Sequence, residues 1–250
     1  MKIKSIAIIV LLAFSFCKKD KIEEPEPVVP NVGNLSVNYR PTIDGNTMLF
    51  GTQYKNAHGD TFTVNLFKYY ITNVFLVKDD GSKFSEGKFH LVDHSLGGGF
   101  SMSGIPAGTY KSMIYTLGVD SSRNVSGVQD GDLAPSKAMF WDWNTGYIFL
   151  KLEGTSPQAD NGSKDIAFHI GGFTKPYSTI RTMTINFAQD LVIAKDKNPQ
   201  LKLASNVNEL FKNPFVVDFF TYHTVTSPGL QSNLVANNYT DMISYEAIVP

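Results

Sequence analysis

Cysteine is almost missing from this sequence: Cys17 is the only one among 250 residues. A domain that follows Cys17 therefore has no pair for a disulfide and no thiolate for a metal site. Common enzyme motifs are missing too, since there is no G-x-S-x-G nucleophile elbow, no H-E-x-x-H, no P-loop and no G-x-G-x-x-G. These absences argue against a generic hydrolase, and we predict a protein that is not an enzyme.

Charge is also scarce. The formal net charge is −1, and only 18% of the residues are charged. A surface so close to neutrality offers no basic face to a nucleic acid, so we expect no nucleic-acid partner. Phe (18) and Tyr (11) are abundant instead, a composition that favours aromatic-rich strands.

The N-terminal apolar run, residues 5–16, is too short to cross a membrane comfortably as a helix. It follows Lys2 and Lys4 and ends at Cys17, the order of an export signal with a cysteine at the lipidation position. We predict a lipoprotein signal peptide over residues 1–17. The alternative is an uncleaved anchor helix with a free Cys17.

Residues 18–33 mix prolines with charges of both signs and are predicted to form a flexible tether. A lipid anchor with such a tether holds a folded domain near a membrane. We therefore predict an extracytoplasmic lipoprotein, anchored in the outer membrane of a Gram-negative bacterium and facing the periplasm or the cell surface. Residues 34–250 contain no internal repeat and no proline-rich linker, which predicts one domain.

Long helical patterns are few, and apolar residues mostly alternate with polar ones. Alternation over residues 61–77 predicts a strand, and Asp79, Asp80 and Gly81 predict a hairpin turn after it. Further strands are predicted over residues 88–92, 108–117, 147–152, 164–170, 179–187 and 214–220. Helices are predicted for VNELF, capped by Asn206, and for residues 230–236. The pattern predicts a mainly β fold, a single antiparallel β-sandwich with one or two short helices.

Histidine is the most common metal ligand that remains. The five histidines are His58, His90, His94, His169 and His223, and none pairs with another at a helical metal-ligand spacing. In DIAFHIGG the isoleucines and Phe168 take one strand face and His169 takes the other, just before a glycine pair that lets a ligand or backbone approach. A histidine that is merely hydrogen-bonded would show the same pattern.

A polar loop over residues 120–132 is a candidate calcium site. Its possible oxygen ligands are Asp120, Asn124, Asp130 and Asp132. Their spacing differs from that of an EF-hand, so a plain turn is the alternative.

Four sequence blocks resemble the MbnP-like family: LGVD at 117–120, MFWDWNTGYIFLKLEG at 139–154, FHIGG at 168–172, and ANNYTDMI near the C-terminus. The resemblance covers most of residues 34–250. It implies an extracytoplasmic, mainly β domain associated with copper. It also implies that, in some members, a di-haem peroxidase-like (MauG-like) partner oxidises a tryptophan to kynurenine, which then helps to bind Cu(I).

By this resemblance Trp141 matches the modified tryptophan and His169 matches a histidine that follows the strand phenylalanine. Some copper-binding relatives have histidine where this chain has Trp143. With thiolate excluded, Met139 is the nearest thioether, so Trp141, Trp143, Met139 and His169 are the candidate ligands. In an extended segment the two indoles would share one face.

Two other roles for the tryptophans remain open. The rings could form a hydrophobic plug at one end of the sandwich, without any metal. Exposed rings could instead bind a glycan or a protein, because aromatic faces stack on sugars and dominate protein interfaces.

The lipoprotein hypothesis predicts that Cys17→Ser releases the domain into the soluble fraction or leaves the precursor unprocessed, because the lipidated thiol is removed. Fractionation of the native host, with intact mass of the product, measures both outcomes. Unchanged membrane association with normal processing would contradict the hypothesis.

Overall fold

The computed structural model describes residues 31–125 and 129–250. The predicted signal peptide, with Cys17, lies outside the described residues, as does most of the predicted tether. Within the described ranges, no helix is both long enough and apolar enough to cross a bilayer.

The described chain is built mostly from strands. They are β1 (Val32–Ile43), β2 (Asn46–Thr47), β3 (Tyr54–Lys55), β4 (Thr61–Lys78), β5 (Lys83–Phe84), β6 (His90–Asp93), β7 (Gly99–Pro106), β8 (Gly108–Leu117), β9 (Phe140–Asp142), β10 (Gly146–Thr155), β11 (Asp165–Gly171), β12 (Arg181–Ile193), β13 (Gln200–Asn206), β14 (Thr224–Val225) and β15 (Ile243–Val249). The α-helices are α1 (Ser121–Asn124) and α2 (Leu230–Asn238), and short 3₁₀ helices cover His94–Leu96, Gly131–Leu133, Pro135–Lys137, Val207–Phe211 and Tyr239–Asp241.

The strands form two sheets. One has the order β15-β13-β1-β2, with β7 also paired to β1. The other has the order β12-β8-β4-β10-β11-β14, with β3, β5 and β6 paired to β4 and β9 paired to β10. Most pairs are antiparallel, but β1 pairs with β13 in parallel, as does β11 with β14.

The two sheets pack face to face, and aromatic side chains contact each other across the interface. Tyr39 of β1 meets Tyr69 of β4 edge-on, with ring centroids 5.9 Å apart. The Tyr69 hydroxyl is 2.6 Å from the Oγ of Ser205 in β13, so a polar contact also crosses the interior. Two sheets that bury a shared core make a β-sandwich, which confirms the predicted fold class.

Most predicted elements are confirmed. The long strand predicted over 61–77 is β4, and the turn at 79–81 connects it to β5 as a hairpin, with Gly81 at φ 80°. Asn206 caps the 3₁₀ helix of VNELF by accepting a hydrogen bond from the Asn208 backbone N–H at 3.3 Å. The second predicted helix is α2.

The prediction of a strand over residues 214–220 is wrong, because these residues form a loop. Val217 and Phe219 are buried as the alternation requires, but their backbone groups bond to other partners. The Phe219 N–H donates to a carboxylate oxygen of Asp60 at 2.8 Å, and the Val217 carbonyl accepts from the Asn56 amide at 3.0 Å. Side chains therefore form the backbone hydrogen bonds that a neighbouring strand would otherwise supply, and the alternating apolar pattern belongs to a loop.

The first strand was missed by sequence reasoning. It begins at Val32, two residues before the predicted domain start, and it lies between β13 and β7. Leu35, Val37 and Tyr39 alternate inward, as period-two burial requires.

His94 is buried in the core without a hydrogen bond. Its ring stacks on Phe67 with centroids 4.8 Å apart, and among the described residues neither ring nitrogen has a hydrogen-bond partner. Burial lowers the pKa of His94 from 6.5 to about 4, although the neighbouring Asp93 carboxylate acts in the opposite direction. The folded protein therefore holds a neutral imidazole in mild acid.

We expect His94 to make the fold acid-sensitive. Because its pKa is lower in the folded protein, the unfolded chain takes up the proton first as the pH falls from about 6.5 towards 4. Between pH 7 and pH 5 this linkage removes about 2 kcal/mol of unfolding free energy. Urea denaturation at both pH values should show that His94→Leu loses less stability than the wild type. Equal losses in the two proteins would contradict the expectation.

Candidate metal centre

A side-chain-capped turn sets the geometry around the tryptophans. The Oδ1 of Asp142 accepts from the Asn144 N–H at 2.7 Å and from the Thr145 N–H at 2.8 Å. The bonds from Thr145 and Asn144 lower the pKa of the Asp142 carboxyl, which stays ionised. The chain reverses there and β9 pairs back onto β10, with Asp142 opposite Gly146.

Trp141 lies partly buried against β11. A Cβ atom added to Gly171 would be 2.7 Å from Cζ3 of Trp141 and 2.5 Å from the Tyr147 carbonyl oxygen. Both distances are shorter than van der Waals contact, so only glycine permits this approach. The outer edge of the indole therefore rests on the backbone of β11.

His169 lies on the same face of β11. It stands two residues before Gly171, which corresponds to roughly 6.7 Å along a strand. Ile166, Phe168 and Ile170 are buried on the other face, as the sequence predicted. The structure thus brings Trp141 and His169 to one sheet face.

Two charged residues of β10 surround His169. Lys151 is its register partner, and Glu153 follows on the same face. The Nε2 of His169 is 2.8 Å from Oε1 of Glu153, and the Lys151 ammonium is 3.4 Å from the same oxygen. Lys151 also donates to the Ala138 carbonyl at 3.3 Å.

The electrostatics of this group favour a neutral imidazole beside a carboxylate. Burial lowers the pKa of His169, and the positive charge of Lys151 lowers it further. The hydrogen bond to Glu153 raises this pKa, but the net shift is downward. Burial alone would raise the pKa of Glu153, but the bond to His169 and the Lys151 charge lower it on balance. A neutral His169 donates through Nε2, and its Nδ1 has no hydrogen bond to any described residue. Histidines that bind metals are commonly held by a carboxylate in this way.

The other two candidate ligands lie elsewhere. Met139 is only 1% exposed and belongs to the hydrophobic core. Trp143 is 58% exposed and lies edge-on to Phe140, with ring centroids 5.6 Å apart. Trp143 is in the turn and not in an extended segment, so the condition under which the two indoles would share a face is not met.

The structure does not support the candidate calcium loop. Asp120 caps α1 by accepting from the Arg123 N–H at 3.0 Å, and Asn124 accepts from the Tyr147 N–H at 2.9 Å. Asp132 accepts from the Leu91 N–H at 2.9 Å. Three of the four proposed oxygen donors thus bind separate backbone groups as ordinary loop contacts.

Sequence reasoning missed Lys151 and Glu153. The signal was present in LKLEG, where these residues alternate with the buried Leu150 and Leu152 and so share a face. Their proximity to His169 required the register between β10 and β11, which local alternation does not contain.

Comparison with known proteins identifies one family. A family model described as MbnP matches residues 32–227. The solved structure of MbnP from Methylosinus trichosporium is similar with a TM-score of 0.47 and 14% sequence identity, and the match covers 78% of this chain and 80% of that chain. No curated protein matches the chain.

The contact between Trp141 and Gly171 predicts a specific effect of Gly171→Ala. The added methyl group has no room, so we expect the indole to shift outward and the fold to lose about 1–3 kcal/mol. Tryptophan fluorescence in a Trp143→Phe background reports on Trp141 alone, and its emission should move to longer wavelength. Gly162→Ala is the matched control, since nothing lies within 4 Å of a Cβ at that position. Equal spectra for the two alanine variants would rule out this contact.

Proposed function

This chain belongs to the MbnP family, and on that premise we propose that it is a copper-binding protein that acts outside the cytoplasm and is not an enzyme. The family is associated with copper. The observation that supports a site in this member is the placement of the Trp141 ring and His169 on one face of β11. The site would hold Cu(I), which binds imidazole and soft or aromatic-amine donors when no thiolate is present.

The donor chemistry requires that Trp141 be modified. An intact indole offers only an N–H donor and no lone pair to a metal. Oxidation to kynurenine cleaves the C2–C3 bond of the indole with O2 or peroxide as the oxidant, and hydrolysis then releases C2 as formate, which leaves a primary aromatic amine that can ligate copper. A di-haem peroxidase-like partner is the proposed catalyst.

His169 is the proposed imidazole ligand, acting through Nδ1. Glu153 would orient the ring and keep the proton on Nε2, the role of a carboxylate behind a ligating histidine. Because burial lowers the pKa of His169, the imidazole does not need to lose a proton at neutral pH before it binds a metal. These two residues fit a copper site, whereas Met139 is buried in the core and Trp143 lies in the turn against Phe140, so neither is a proposed ligand.

The proposed location follows from the N-terminal sequence. Lipidation at Cys17 would anchor the chain to the outer membrane, and residues 18–33 would hold the domain away from it. The proposed oxidising partner acts in the same compartment.

A second candidate function is supported by Trp143. This ring is exposed and rests against Phe140, which gives an aromatic surface suited to stacking on a sugar or packing against a protein. In this alternative the domain is a binding module, and both tryptophans stay intact.

The decisive experiment is Cu(I) titration of protein purified from its native host, with peptide mapping for kynurenine. Trp141→Phe cannot form kynurenine, so it should abolish Cu(I) binding and reduce stability by about 1–3 kcal/mol. His169→Ala should abolish binding as well, and Glu153→Gln should weaken it by about 10–100-fold because the imidazole loses its orienting partner.

Trp143→Phe serves as the matched control and should bind Cu(I) like the wild type. Wild-type protein with intact tryptophans and no Cu(I) affinity would contradict the copper proposal and leave the binding module standing. Loss of Cu(I) binding in Trp143→Phe would place that residue in the site.

A further inference from the structure

A second group of metal-ligand side chains is formed by His58, Asp60 and Asp218. One ligand atom from each lies within 4.8 Å of the other two. The Nδ1 of His58 is 3.2 Å from Oδ1 of Asp60. In residues 31–125 and 129–250, no other cluster of three or more His, Cys, Asp or Glu side chains meets this criterion.

The fold holds this group by joining a hairpin turn to a distant loop. The turn between β3 and β4 is closed by a bond from the Asn56 N–H to the Asp60 carbonyl at 3.0 Å. The Asn56 side chain then donates to the Val217 carbonyl at 3.0 Å, and Oδ2 of Asp60 accepts from the Phe219 N–H at 2.8 Å. These bonds place Asp218 opposite the turn that carries His58.

Both carboxylates are fixed in orientation. Asp218 accepts from the Phe220 N–H at 2.8 Å and from the Thr221 hydroxyl at 2.6 Å. The bond from Thr221, the backbone donors and the nearby His58 lower the pKa of Asp218. The Asp60 side chain is only 10% exposed.

The negative charge of this group lacks a permanent positive partner. Within the described part of the chain, neither Asp60 nor Asp218 forms an ion pair with lysine or arginine. The nearby group is the His58 imidazole, which is half exposed and charged only when protonated. Two close carboxylates, one of them largely buried, are stabilised by a cation.

We propose that His58, Asp60 and Asp218 form a site for a divalent first-row transition ion, with Zn²⁺ as its probe. Zn²⁺ binds imidazole nitrogen and carboxylate oxygen, and three protein ligands leave its fourth position open for water. Ca²⁺ takes six to eight oxygen ligands, and Cu(I) selects softer donors, so neither fits this set. The ion fastens the β3–β4 turn to the loop before β14, and the site shares no residue with the proposed copper site.

The test is calorimetric titration with Zn²⁺ of the full chain after dialysis against a chelator. A His169→Ala background removes the imidazole of the other candidate site. In this background we expect one Zn²⁺ per chain, and binding weaker by at least roughly tenfold when His58→Ala or Asp218→Asn is added. His223→Ala is the matched control, since His223 is a partly exposed histidine that contacts the Phe220 carbonyl and is not in the cluster; it should bind Zn²⁺ normally.

Thermal unfolding provides a second readout. Zn²⁺ should raise the Tm of the His169→Ala protein and of the His223→Ala control, because an ion that binds only the folded state stabilises it. It should not raise the Tm of the cluster variants, whose metal-free circular dichroism shows whether they fold. No Zn²⁺ uptake, equal affinity after His58→Ala and Asp218→Asn, or Ca²⁺ binding as tight as Zn²⁺ would each overturn the proposal.

Discussion

Strands β10 and β11 pair antiparallel, with Lys151 opposite His169, and the candidate copper site depends on this register. Side chains alternate strictly along a strand, so a slip of one residue would turn His169 into the core and expose Ile170. The large apolar residues of β11 prevent that slip because each is buried on the inner face. The same register leaves Gly171 on the outer face, where its missing side chain makes room for the Trp141 ring.

Buried amide side chains hold the segments around both candidate sites in place. Asn124 donates to the Val119 carbonyl at 2.8 Å and accepts from the Tyr147 N–H, so it connects α1 to the start of β10. Asn56 connects the β3–β4 turn to the Val217 carbonyl. An unpaired buried amide is costly, by about 1–3 kcal/mol, so each asparagine strongly favours one loop position. Neither amide is a ligand of the two sites proposed above: Asn124 fixes the start of β10, onto which the strand of Trp141 pairs, and Asn56 fixes the turn that carries His58.

Three histidines have a lowered pKa for the same physical reason, but their side-chain partners differ. Burial lowers the pKa of His90, His94 and His169. His90 bonds to Glu86 at 2.8 Å and stacks on Phe100, whereas His94 stacks on Phe67 and its ring nitrogens have no hydrogen-bond partner among the described residues. His169 is the one of the three that faces a tryptophan-bearing surface and has a carboxylate behind it. A depressed histidine pKa therefore does not identify a site in this protein; the neighbours do.

Local sequence determined the mainly β fold, six of the fifteen described strands, the Asn206 cap and the face on which His169 lies, because alternation and capping act between residues close in the chain. Tertiary structure decided the rest. It turned residues 214–220 into a loop through the Asp60 carboxylate, and it put Trp143 in the Asp142 turn instead of the strand that carries Trp141. It also joined Glu153 to His169, and His58 to Asp218, across strand and loop pairings that no local pattern contains. Which distant strands and loops pair depends on how the whole core is buried. Contacts between residues far apart in the chain therefore follow from the packing of the sheets and not from a local sequence pattern.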